Sequence, residues 1–375
     1  MSTFQTELTR RKLLLLGALA YPGKVFMNWS SDRKALPSMN IDIYTHFFPP
    51  AYAKEITRRA TRTHPDVPNI EMLMRLFPNL CEFETRLAHM DRYETSLQIL
   101  TPLPIPADLF VADSAAAAAL VRVANDALAE AIAKRQDRFA GVALLCFLDP
   151  EEAANELERT VRHLGLKGAM LFTNIGGRPV DIPQLFPVYE RAQGLDVPLW
   201  IHPISWNYYD WVRDYLIWQI FGWPIDTTLA MARLVYGGVL EKFPKLKFIT
   251  HHAGGTTPYL IGRVIDTYDQ NEELMRLSGS GSSAPRSAAK KPIDYYRMFY
   301  GDTALSGIAS AMSCAFEMFG SERLVFGSDY PFGPDSGQRF IHSNLTAVDT
   351  LRLPDRDRRR ILVENARSLL GLNQA

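Results

Sequence analysis

The sequence predicts an α/β protein, a (β/α)8 TIM barrel with helical insertions after strands one and five. From Met39 onward, eight short and nearly continuous apolar runs alternate with longer amphipathic stretches. That is the pattern of parallel strands covered by helices on both faces. The chain has 375 residues, a length such barrels reach as one domain carrying insertions. No G-x-G-x-x-G follows the first strand, which removes the chief reason to expect an open dinucleotide-binding sheet.

In chain order the strands read "IDIY", "SLQILTP", "FAGVALL", "GAMLFT", "VPLWIH", "LKFITHH", "MFYGDT" and "RLVFGSDYPF". Between them, "AAAAALVRVANDALAEAIAKRQ" and "PEEAANELERTVRHLG" carry apolar residues at helical spacing. Residues 47–95 form the insertion after strand one. Residues 205–240, rich in Trp and Tyr, form the insertion after strand five. "SGSGSSAPRSAAKK" is a loop by composition, and no internal repeat is visible.

Residues 1–38 differ from the rest, so the domain is expected to occupy 39–375. "TRRKLLLLGALA" resembles a twin-arginine export signal ending in small residues. Its apolar run is shorter than the roughly 20 residues a membrane helix needs, and Pro22-Gly23-Lys24 interrupts it. The competing reading is a simple extension, or sequence upstream of a start at Met39. A cytoplasmic enzyme is expected, with the periplasm as the alternative.

Lys plus Arg equals Asp plus Glu, 41 each, so no basic field exists to attract nucleic acid. No later segment resembles a membrane span. Cys81, Cys146 and Cys314 are odd in number and far apart, which suggests neither disulfides nor a thiolate zinc site. Three buried, reduced thiols are expected.

The histidines are the most informative residues. His46 closes strand one, His202 strand five, and His251-His252 strand six, while Asp329 closes strand eight. In a closed barrel those ends converge on one mouth, where active sites lie. Neutral imidazoles and a carboxylate suit a divalent transition metal, which can activate water or polarise a substrate oxygen. His64, His89, His163 and His342 fall in helices or loops and read as surface or capping residues. Arg86 and Arg178 read as structural.

On "IDIYTHFFPP", "RLAHMD", "ELERTVRHLGLKGAMLFTN", "VPLWIHP", "THHAGG", "YGDTA", "GSDYPF" and "ENARSLLGL", the chain resembles the amidohydrolase superfamily over residues 39–373. Within it, the chain is most similar to the branch containing aminocarboxymuconate semialdehyde decarboxylase and γ-resorcylate decarboxylase. The resemblance implies one divalent ion, zinc first and manganese next, held by His46, His202 and Asp329. It also implies that His252 is the catalytic histidine, assisted by Asp329, with His251 beside it as a substrate contact. A one-residue shift of register would exchange His251 and His252. Tyr44 departs from the pattern, because it stands where the family has His or Glu. A neutral phenol is a poor ligand, so Tyr44 ligates as phenolate, bonds a metal water, contacts substrate, or merely packs.

The reaction the resemblance implies is non-oxidative decarboxylation of an aromatic or unsaturated carboxylic acid. Metal-dependent hydrolysis of a lactone, amide or carbon–carbon bond is the alternative, and a lapsed barrel that only binds is the third class. Trp206, Tyr208, Tyr209, Trp211 and Trp218 are candidates to wall a planar substrate, with Arg213 to meet its carboxylate. The same insertion could instead pack on the barrel or on a second subunit. A homodimer is expected, with a small carboxylic acid as substrate and neither nucleic acid nor membrane as partner.

Overall fold

Strand β1 (Asn40–Phe47) is buried at every position, as a strand covered on both faces must be. It pairs in parallel with β2 (Thr95–Pro102), and β2 pairs with β3 (Phe139–Gly141). A second parallel sheet runs in sequence order through β4 (Ala169–Phe172), β5 (Leu199–His202), β6 (Phe248–Thr250), β7 (Tyr300–Asp302) and β8 (Leu324–Val325). The structure, a computed structural model, describes residues 39–59, 70–204, 210–278 and 290–372, without the side chains of 210, 213 and 268–278.

Hydrogen bonds link the edges of the two sheets. Beyond β3, Ala143 N donates to Gly168 O (2.9 Å) and Met170 N donates to Ala143 O (2.8 Å). Beyond β8, Ile43 N donates to Phe326 O (2.8 Å), Asp329 N to Tyr44 O (3.0 Å) and His46 N to Tyr330 O (2.6 Å). All eight expected strands are present, several shorter than their apolar runs.

Helices fill the connections. After β1 come α1 (Pro50–Arg59), α2 (Ile70–Leu76) and α3 (Glu84–Arg92). Then α4 (Ser114–Ala133) follows β2, α5 (Pro150–Leu164) follows β3, and α6 (Phe186–Gly194) follows β4. The start of α4 is fixed by Asp113, whose carboxylate accepts from Ala116 N at 2.8 Å. Asp149 caps α5 in the same way, Pro150 occupies its first turn, and Gly165 (φ 71°) ends it in the left-handed conformation. The sequence thus specified both ends of α5. After β5, short helical segments at Asp210–Leu216 and Trp218–Gly222 lead into α7 (Trp223–Tyr236). Finally α8 (Thr257–Ser278), α9 (Ala309–Arg323) and α10 (Gln338–Thr350) follow β6, β7 and β8.

Two expectations are corrected. Cys146 is buried, but Cys81 and Cys314 are only half-buried, although all three are free thiols. His89 is a buried histidine rather than a surface one, because its Nδ1 lies 3.0 Å from the Tyr330 hydroxyl. Trp211 is largely exposed. His163 is exposed, His342 rests partly buried near Tyr93, and His64 lies outside the described residues.

Candidate metal centre

Each strand-end histidine is tied from behind by one ring nitrogen. His46 Nδ1 donates to Pro102 O (3.4 Å), with Thr101 Oγ1 at 3.2 Å. His202 Nδ1 donates to Pro203 O at 2.6 Å. His251 Nδ1 bonds the Asp302 carboxylate, whose other oxygen accepts from Ala253 N (3.0 Å) and Ala304 N (3.1 Å). These bonds fix the tautomers of His46 and His202 and turn each Nε2, that of His251 included, away from the wall, as in metal-bound histidines.

The free nitrogens converge. One ligand atom from each of His46, His202 and His251 lies within 4.8 Å of the others, and the same holds for His251, His252 and Asp329. Asp329 Oδ1 is 3.2 Å from His46 Nε2 and 3.4 Å from His251 Nε2, while its Oδ2 is 4.0 Å from His252 Nε2. His46, His202 and His251 are almost fully buried, whereas His252 and Asp329 retain about a fifth of their side-chain surface (21% and 19%).

The turn after β6 makes this convergence. In a regular strand, neighbouring residues point to opposite faces. Here His252 (φ 52°) and Ala253 (φ 50°) are left-handed, so the two imidazoles lie together, tilted by 32° with centroids 3.8 Å apart. Such conformations cost roughly 1 kcal/mol or more for residues with a side chain, and they concentrate at functional sites. Gly255 (φ 65°) completes the turn. A Cβ there would meet Pro224 O at 2.0 Å, so only glycine fits. Asp329 (φ 65°) is held in the same unusual region.

Electrostatics suit a cation. Burial, opposed by Asp329, lowers the pKa of His46. Burial, aided by His46 and His251, lowers that of His202 much further, so both rings are neutral near pH 7. Burial would lower His251 as well, but Asp302 and Asp329 outweigh it and lift the ring to about 9. Burial would raise Asp329, but His251 and then His46 hold it far below the usual carboxylate range. His252 is pushed down to about 4 by its enclosure and by His251 beside it. Positive charge is therefore favoured between Asp302 and Asp329, where the imidazole nitrogens meet. His46 Nε2 is buried and lacks a well-directed hydrogen bond despite its proximity to Asp329. Two neutral imidazoles, a third held by a carboxylate, and Asp329 form a donor set that fits a divalent transition ion.

Tyr44 sits inside the cluster without offering it an oxygen. Its hydroxyl donates to Ile201 O (3.2 Å), and its ring lies flat on His251, centroids 3.9 Å apart at 11°. Burial, with Asp302 and Asp329 nearby, raises its pKa well above 10, which keeps it a neutral phenol. Phe332 faces His46 with ring centroids 5.4 Å apart, and Trp223 packs edge-on to His202 with Trp218 behind it. Trp206, Tyr208, Tyr209 and the Arg213 side chain lie outside the described residues. Arg86 is wholly buried behind β1, donating to the His46 and Asn79 carbonyls and to Gln98 Oε1. Arg178 is exposed in a turn.

Sequence reasoning overlooked Asp302 and Trp223. Both had a visible signal, an acid at the end of strand seven and an aromatic residue at the start of a strand-five helix.

A parallel α/β fold with imidazoles and a carboxylate meeting at its strand ends defines a class of metal-assisted enzymes. The chain belongs to the amidohydrolase family, whose profile matches residues 41–372. Among curated relatives, it is 32% identical over 304 residues to γ-resorcylate decarboxylase of Polaromonas sp., covering 78% of this chain and 88% of that one. It is 27% identical over 254 residues to 2-amino-3-carboxymuconate-6-semialdehyde decarboxylase of Dictyostelium discoideum, 68% of each chain. Among solved structures, a dihydroxybenzoic acid decarboxylase from Polaromonas sp. JS666, with bound manganese and the inhibitor 2-nitroresorcinol, superposes with TM-score 0.74 at 28% identity. That match covers 90% of this chain and 98% of the other. The fold is also that of 5-carboxyvanillate decarboxylase from Sphingomonas paucimobilis, with TM-score 0.75 at 22% identity, covering 89% and 99% of the two chains.

Proposed function

We propose that this chain is a metal-dependent, non-oxidative decarboxylase of an aromatic or unsaturated carboxylic acid, a carbon–carbon lyase. The observation that carries the reading is the meeting of three imidazoles and Asp329 at the strand ends of a chain 32% identical to a γ-resorcylate decarboxylase. The edge hydrogen bonds support a closed (β/α)8 barrel over residues 39–375, with insertions after strands one and five. Hydroxybenzoates are the favoured substrates, because the manganese-containing relative is a dihydroxybenzoic acid decarboxylase inhibited by a nitro-substituted resorcinol.

His46, His202 and Asp329 would hold the ion, which supplies electrophilic stabilisation to the substrate's carboxylate and a neighbouring oxygen. Zinc and manganese both suit these donors, and the relative's manganese moves that metal forward. Phe332 and Trp223 flank the mouth and favour a planar ring. As the carbon–carbon bond breaks, carbon dioxide leaves and its electron pair stays on the substrate carbon, which then takes a proton. We assign that transfer to His252. It is the more exposed of the two adjacent histidines, its Nδ1 has no partner, and its Nε2 lies 4.0 Å from Asp329. Its imidazole, neutral at rest beside an ionised carboxylate, can take a proton from solvent and pass it to the substrate carbon.

Among the described residues, no helix is long and apolar enough to cross a membrane, and we place the enzyme in the cytoplasm, with export through Arg10-Arg11 as the alternative. Exposed Phe221, Ile225 and Leu229 recur four residues apart along one helical face, which supports a homodimer.

The test uses two variants. His252→Ala should retain metal and lose turnover, and Asp329→Ala should weaken both. Normal turnover in either variant overturns the assignment.

A further inference from the structure

We propose that His251 is a ligand of the metal ion, so that strand six supplies the third imidazole while strand one, with a tyrosine at position 44, supplies only His46. The inference rests on the metal-dependent reading above.

Four observations carry it. First, His251 alone belongs to both groups of converging ligand atoms, the one with His46 and His202 and the one with His252 and Asp329. Second, it is almost wholly buried, which leaves no surface for a substrate to touch. Third, its orientation is fixed twice over. Asp302 holds Nδ1 while two backbone amides hold Asp302, and the ring lies between Tyr44 (3.9 Å) and His252 (3.8 Å). A carboxylate on the far nitrogen is the usual support of a metal-bound histidine, since it fixes the tautomer and raises the basicity of the ligand. The free Nε2 therefore points at Asp329 Oδ1, 3.4 Å away. Fourth, Tyr44 gives its hydroxyl proton to Ile201 O and presents a ring face to His251. It is a wall for the imidazole rather than a donor to the ion.

Asp302 follows as a positioning residue. It reaches the ion only through His251, and removing its charge should loosen the metal without removing a ligand.

The experiment measures manganese and zinc affinity by chelator competition, and metal content by mass spectrometry, on intact wild-type protein and three variants. His251→Ala should weaken affinity more than about 100-fold. Asp302→Asn should weaken it about 10- to 100-fold, the range typical of outer partners of ligands. Tyr44→Phe should stay within about threefold of wild type. X-ray absorption of zinc-loaded wild-type protein should count three imidazoles, a readout that survives if a variant fails to fold.

Metal loss in Tyr44→Phe with retention in His251→Ala would overturn the proposal, as would a count of two imidazoles. Wild type that binds metal and releases carbon dioxide, with His251→Ala equally tight, would sink this inference alone. Wild type that binds neither metal would overturn this inference and the metal-dependent reading together.

Discussion

Asp42 should cost the protein stability as pH rises from about 5 to 8, and Asp42→Asn should abolish that loss. The carboxyl is fully buried in β1 and accepts from Ser328 N (2.9 Å) and Ser328 Oγ (2.5 Å). Burial raises its pKa from 3.8 to about 7, and the Ser328 bonds oppose that rise only in part. A group with a raised pKa binds its proton more tightly when folded. Its stabilisation is therefore complete below the unfolded value and declines until the folded value is passed. The lift is about three pH units, worth about 4 kcal/mol in all, of which roughly 2.5 kcal/mol falls between pH 5 and 8. For a chain of this size that is a shift in Tm of roughly 4 °C. Melting both proteins at pH 5 and at pH 8 and subtracting one curve set from the other removes the titrations they share. The variant should gain about 4 °C on wild type between the two pH values. Parallel pH profiles would refute the buried-acid argument. The pair also matters to the site, because Ser328 precedes Asp329 and Asp42 anchors that loop to strand one.

Two further outcomes follow from packing. Arg86→Ala should destabilise by about 3 kcal/mol or more in urea unfolding, since it strips donors from the His46 and Asn79 carbonyls and from Gln98. Arg86→Lys should rescue little, because one ammonium cannot span acceptors that the guanidinium fork reaches together. Phe221→Glu combined with Leu229→Glu should convert a dimer to monomer in sedimentation velocity while leaving Tm within a few degrees, as both side chains are exposed in the single chain.

Much of this was legible in the sequence, and the limits have physical causes. Strands buried on both faces read as apolar runs, so β1 to β8 could be placed by composition alone. Helices α4 and α5 carried their own Asp caps. His46, His202 and Asp329 stood out because each terminates such a run. The pair His251-His252 could not be resolved, since strand alternation allows only one of two neighbours to face the mouth. The left-handed turn at His252 and Ala253 brings both inward, and nothing local in "THHAGG" except its glycines announces it. Tyr44 was ambiguous for a related reason. Its hydroxyl partner, Ile201 O, lies 157 residues away, and its ring partner is on strand six. His89 was misread because the Tyr330 hydroxyl that satisfies it is 241 residues distant.

Carbon dioxide release from hydroxybenzoates and muconate-type acids, measured on manganese-loaded and chelator-stripped protein, tests most directly whether this metal centre drives decarboxylation. At least one acid should yield carbon dioxide and the decarboxylated product in equal amounts, with loss of activity on stripping and recovery on adding manganese. Carbon dioxide release that is indifferent to the chelator, or turnover to a hydrolysis product without carbon dioxide, would contradict it.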